Sequence, residues 1–128
     1  MLFRSTAPNI IYANVINGNT VGVLLSSTAN TTILSNAASS NHVYKINTIN
    51  IANLTGNAAL ITIRWYDNAT IASGNGYAIA ANISVPGQTT LNLIDKTSQY
   101  YLQENQAIGA TANVANSFTV TCSYEDIS

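Results

Sequence analysis

The sequence predicts an all-β chain folded as a single antiparallel sandwich or barrel of about nine or ten short strands. Three observations predict it. β-Branched and aromatic residues alternate with polar ones at period two, as in Ile61, Ile63 and Trp65 against Thr62, Arg64 and Tyr66, which marks a half-buried strand. Turn signals rich in Gly, Pro, Asn and Ser fall roughly every 8–12 residues. No apolar stripe at helical spacing is sustained over about ten residues. The 128 residues suit one domain spanning the whole chain, 1–128. A chain of this size buries roughly two-thirds of its unfolded surface and needs no covalent staple.

The runs are read in order. Asn9 to Ile16 and Val21 to Leu25 flank Asn17-Gly18-Asn19, and Asn-Gly is a strong hairpin cue. Met1 to Asn9 lacks a pattern and is expected to be an N-terminal arm reaching a neighbouring subunit. Thr31 to Leu34 is a short strand, and Ser35 to Asn41 a small polar loop. The stretch Asn41 to Asp67 organises the rest: two apolar-patterned runs around a Thr-Gly-Asn turn, expected to form a central hairpin. Within its first run the apolar parity shifts from Tyr44 and Ile46 to Ile49 and Ile51, which predicts a β-bulge near Thr48. Tyr77 to Val85 alternates up to Pro86-Gly87, and Gln88 to Ile94 carries Leu91 and Leu93 on one face. After the Asp95–Ser98 turn come a brief piece, Gln99 to Leu102, a weak strand, Ala107 to Ala112, and a final alternating strand from Phe118.

Charge is the unusual feature. Only 7% of the residues are charged and the net charge is −1, against roughly a quarter in ordinary domains. Four basic residues spread over the chain provide no face for nucleic acid, which needs clustered Lys and Arg, and no polybasic membrane patch. With 47% hydrophobic residues the composition is not that of a disordered chain. Asn, Thr and Ser take the place of charge, giving a weakly repulsive surface suited to association. The opening MLFRSTAPN lacks the apolar run of a signal peptide, and no stretch approaches the ~20 apolar residues of a membrane helix.

Catalysis needs titratable groups placed together, and there are few to place. His42 is the only histidine and Cys122 the only cysteine. Asp67, Asp95 and Glu104 fall at predicted turns, where carboxylates serve local hydrogen bonds. No catalytic, cofactor or metal site is expected. Arg64 and Lys45 are expected on neighbouring strands, each pairing with an acid of an adjacent strand or subunit. Trp65 falls on the inward parity. The exposed candidates Tyr66, Tyr100 and Tyr101, with Arg64, are expected at a protein interface, because tyrosine and arginine dominate such contacts.

From about Thr31 onward the order of segments is AASSNHVYKINTINIANLTG, ALITIRWYD, VPGQTTLNLID, YYLQENQAI and FTVTCSYEDIS. In this order, and in the closing SYEDIS, the chain resembles small virion structural proteins of tailed bacteriophages, marine phages in particular. It departs from them at Gln103-Glu104-Asn105-Gln106, where an acidic Glu-Glu-Gly-Asp turn is expected. The resemblance implies a jelly-roll-like sandwich on the particle and no catalytic residues. A non-enzymatic head decoration or cement protein in the virion is therefore expected. Its expected partners are copies of itself, in a trimer or other symmetric oligomer, and the major capsid or other virion proteins. Neck, collar or tail placement is the alternative within that class. A carbohydrate-binding module recognising host glycan, through Tyr66, Tyr77, Tyr100 and Tyr101, is the alternative outside it.

Overall fold

The computed structural model describes residues 13–128. Nine strands run β1 (Ile16–Leu24), β2 (Thr31–Asn36), β3 (Val43–Asn53), β4 (Ala59–Tyr66), β5 (Gly76–Val85), β6 (Thr90–Ile94), β7 (Tyr100–Leu102), β8 (Gln106–Ala112) and β9 (Phe118–Ile127). The one helical element among the described residues is a 3-10 turn at Ile71–Ser73. All strand pairs are antiparallel. One sheet has the order β1-β9-β3-β6, with β7 continuing along the β6 edge of β3, and the other has the order β2-β8-β4-β5. With β6 and β7 taken as one interrupted strand, successive strands alternate between sheets except at the β4–β5 pair, as in a jelly roll.

The two inner faces meet in one core. Phe118, Val120 and Cys122 of β9 and Ile46, Ile49 and Ile51 of β3 are fully buried against Ile61, Ile63 and Ile108 of the second sheet. The parity shift read in β3 is a bulge: register jumps between Ile46 and Thr48 opposite β9. The extra residue, Asn47, lets Ile46 and Ile49 both face inward.

Both expected hairpins are corrected. Asn17-Gly18-Asn19 is not a turn but lies within the first half of β1, paired with Asp126, Glu125 and Tyr124. A type I′ turn needs positive φ at its central residues, and no glycine here has one. The ten-residue β9 offers β1 a full-length partner, whereas an isolated two-stranded hairpin is marginal in water. Of the earlier expected strand, residues 9–12 lie outside the described residues, as does the expected arm, residues 1–9.

The central hairpin is likewise absent, because β3 and β4 belong to opposite sheets. The segment 54–58 crosses between them. Asn53, only 3% exposed, fixes that crossing: its Nδ2 donates to the carbonyls of Asn57 and Val85, both at 2.9 Å. Its Oδ1 accepts from Thr55 N at 3.0 Å and Thr55 Oγ1 at 2.9 Å. A polar side chain continuing the β3 pattern thus serves as a buried latch between sheets.

Gly87 is held by space and not by φ. A Cβ there would lie 2.4 Å from Gly56 C and O, where the β5–β6 turn crosses the β3–β4 crossover. Gly87→Ala is expected to lower stability by about 1–3 kcal/mol, the range for overpacking. The check is chemical denaturation, with the midpoint falling and the slope unchanged. Positive φ is taken up instead by Ser39, Asn41, Asn82, Gln88, Asn105 and Asn116. Asparagine tolerates that region best among residues with a side chain, so part of the chain's high Asn content serves its turns.

Candidate functional site

The structure divides the four expected interface residues between the two sheets. Tyr100 and Tyr101 stand on β7, opposite Ile46 and Lys45 of β3. Arg64 and Tyr66 stand on β4. The four do not form one patch.

Tyr66 is corrected from exposed to buried, at 5% exposure. Its parity is outward, as expected, but the ring lies flat on the outside of its sheet. A Cβ at Gly76 would come within 2.7 Å of its Cε1, and one at Gly109 within 2.8 Å of its Cε2. Asn30 Nδ2 donates to its hydroxyl. Two glycines on the flanking strands leave the floor on which the ring rests. Alternation alone gives the face of a residue, not whether its neighbours are small enough to let it lie down.

Arg64 is half-buried beside it. Its Cδ lies 3.0 Å from where a Gly76 Cβ would stand, so its stem also covers sheet surface. The expected adjacency of Arg64 and Lys45 is corrected, since they lie on opposite sheets. Lys45 does pair with an acid of the adjacent strand, Glu125 Oε2, at 3.9 Å. A partly exposed pair of this length contributes little to stability, about 0–1 kcal/mol.

Tyr100 and Tyr101 remain exposed, at 38% and 44%. As successive residues of a strand they point to opposite faces. Tyr101 shares the outer face with Lys45 and Glu125, while Tyr100 shares the inward parity of Ile46 at the sheet edge. Tyr77, 55% exposed, lies opposite Trp65 across the β4–β5 pair. Their ring centroids are 5.6 Å apart at 37°. Trp65 packs against the core but is only partly buried.

The densest polar grouping is one that sequence reasoning missed. Where the start of β3 pairs with the end of β9, Tyr44 lies opposite Asp126 and Ile46 opposite Tyr124. His42 Nδ1 meets Asp126 Oδ1 at 2.5 Å, and the Tyr44 and Tyr124 rings are 4.9 Å apart. With Lys45 and Glu125, four of the chain's ten charged or histidine side chains gather at this one end. The sequence separates His42 from Asp126 by 84 positions, so only the strand pairing reveals the group. The closing SYEDIS supplies half of it.

Burial first, then the Asp126 carboxylate, push the Tyr44 and Tyr124 hydroxyls above the ordinary 10.0; each other's charge adds for Tyr44, and Cys122 for Tyr124. The folded state therefore holds these protons more tightly than the unfolded chain. Their contribution to stability is complete below the unfolded value and is lost as pH rises through the folded one. In an ultraviolet titration of phenolate, Tyr44→Phe is expected to remove one late-titrating group.

The hydroxyl nearest His42, the thiol and the turn carboxylates are each buried or held in local hydrogen bonds. Ser40 Oγ, the hydroxyl near His42 in the chain, donates to Asn36 Oδ1 at 2.6 Å and accepts from His42 N at 3.1 Å. Burial pushes the Cys122 thiol up to about 12, which keeps it protonated inside the core. Asp95 accepts from Thr97 Oγ1 and, at 2.8 Å, from Thr97 N; Thr97 and then Ser98 hold its carboxyl below the ordinary carboxylate value. Asp67 accepts from Asn75 N at 2.7 Å, closing the β4–β5 loop. Among the described residues no three His, Cys, Asp or Glu side chains group to hold a metal ion, and no helix is long and apolar enough to cross a membrane.

No protein-family model and no curated protein matches the chain. Among solved structures, a chain from "Structure of infectious bursal disease virus Gt strain" is similar at a TM-score of 0.35 and 8% identity. The match covers 90% of this chain, which spans 40% of the length of that one.

Proposed function

We propose that this chain is a non-enzymatic structural component of a bacteriophage virion, a decoration or cement protein that binds the outside of the head as repeated copies. One observation carries the reading. A jelly-roll sandwich presents a surface almost without charge, and the ionisable groups that do gather, His42 with Asp126 and Lys45 with Glu125, are paired with each other. Such a surface offers uncharged hydrogen-bonders to its neighbours. Weak contacts of this kind become strong when many copies are displayed on a lattice. The resemblance of the segment order, including SYEDIS, to tailed-phage virion proteins supports the same reading, and Tyr101 beside Lys45 is the contact proposed on the first sheet.

The reading is tested by comparing phage particles made with and without the chain. Heads lacking it are expected to release DNA at a lower temperature. Heads of unchanged thermal stability would remove the cement role.

A second reading, binding of host glycan, draws on the exposed Tyr77 ring beside Trp65, since aromatic faces stack on sugars. Tyr77→Ala separates the two. The decoration reading expects incorporation into particles and host adsorption both unchanged. Lost adsorption with normal incorporation would favour the glycan reading.

A further inference from the structure

We propose that the outer edge of β1 is a self-pairing surface, on which β1 of a second copy adds antiparallel about a two-fold axis. The four edges of the two sheets are not alike. β2 has six residues and a register break between Thr32 and Leu34. Along β5 the register breaks twice, and Asn82 takes a φ of 48°. The opposite edge of the first sheet is split into β6, five residues with a break, and β7, three residues. Bulges, splits and short strands are the usual protections against edge-to-edge pairing. β1 has none of them. It runs nine residues, pairs with β9 in unbroken register from Ile16–Ile127 to Leu24–Thr119, and contains no charge and no proline.

Its free hydrogen-bonding groups follow from the ladder phase. Val15 and Ser128 exchange both backbone bonds, at 3.0 Å each, and Leu25 N donates to Phe118 O at 2.9 Å. In an antiparallel ladder, bonded and non-bonded positions alternate, so the odd residues of β1 face β9. The N–H and C=O groups of Ile16, Gly18, Thr20, Gly22 and Leu24 point off the sheet. Among the described residues no strand pairs with them.

A second copy of β1 is the occupant that the composition favours. An isologous pair sets β1 against itself, and like charges directly opposite each other destabilise a sheet. With no charged side chain along β1, no register of the self-pair creates such a clash. The chain's net charge of −1 adds little repulsion between copies. Ile16 and Leu24, 59% and 47% exposed, would cover each other's strand ends. The result is one sheet running continuously through two protomers. This inference rests on the edge geometry and not on the virion reading, so either can fail without the other.

The test is sedimentation velocity of the full chain over a concentration series, with hydrogen exchange of the β1 amides. The wild type is expected to show a concentration-dependent dimer and slowed exchange at Gly18, Thr20 and Gly22 in it. Thr20→Pro removes an outward N–H and keeps every backbone bond to β9, losing only the side-chain bond to Ser123 Oγ. Because each dimer carries the change twice, a weakening of at least about tenfold is expected, with the thermal midpoint of the monomer nearly unchanged. Gly22→Lys, whose Cβ would meet nothing within 4 Å, charges the edge without constraining the backbone and is expected to act likewise. Thr20→Ala loses the bond to Ser123 Oγ but keeps the amide, and should dimerise normally. A wild type that stays monomeric at all concentrations overturns the proposal. So does a dimer that survives both edge variants, which would place the contact elsewhere, residues 1–12 included.

Discussion

Asn53→Ala is expected to lower the stability of the fold by about 3–5 kcal/mol, because each buried polar group left without its partner costs about 1–3 kcal/mol. The side chain makes four hydrogen bonds, two donated and two accepted, at a position 3% exposed. Alanine leaves the Val85 carbonyl at the end of β5 and the Thr55 amide in the crossover without those partners. Asn53→Asp keeps the acceptor and loses both donors, and it turns a carboxylate toward two carbonyls. It is expected to be at least as damaging. Asn92→Ala, exposed on β6, is the control and should stay within about 0.5 kcal/mol of wild type. Urea denaturation of the three variants provides the comparison. A small loss at Asn53 would mean that the chain crosses between sheets without its latch.

Tyr66→Ala is expected to cost a similar amount, about 3–5 kcal/mol, as for other buried aromatic truncations. The ring fills the space left by Gly76 and Gly109 on the outside of its sheet, and removing it bares backbone of three strands at once. Tyr66→Phe keeps the ring and loses only the bond from Asn30, a change of about 1 kcal/mol. Tyr101→Ala, 44% exposed, should stay within about 0.5 kcal/mol. The contrast separates two tyrosines that the sequence places in one class. Equal effects at Tyr66 and Tyr101 would contradict the packing described for Tyr66.

The fold class was legible because period-two alternation is local. Ile61, Ile63, Val120 and Cys122 fall where their parity puts them, and even the β3 bulge shows as a shift of parity between Ile46 and Ile49. What failed was pairing. Asn17-Gly18-Asn19 and Thr55-Gly56-Asn57 both look like hairpin turns, yet one lies inside a strand and the other in a crossing between sheets. Local turn chemistry says where a chain is able to reverse, while the partner of a strand is decided by long-range burial. The interface residues divided on the same line. Tyr100 and Tyr101 are exposed because β7 is short and at an edge, whereas Tyr66 is buried by glycines 10 and 43 positions away. The His42–Asp126 and Tyr44–Tyr124 contacts join the start of β3 to the C-terminal part of β9, and no local signal carries them.

The functional proposal turns on whether this chain is built into particles in number. Quantitative mass spectrometry of purified phage, with the major capsid protein as the internal standard, measures this directly. A decoration protein is expected at hundreds of copies per particle. Six, twelve or a few dozen would contradict the head assignment and place the chain in the neck or tail. Absence from the particle would contradict the virion reading altogether.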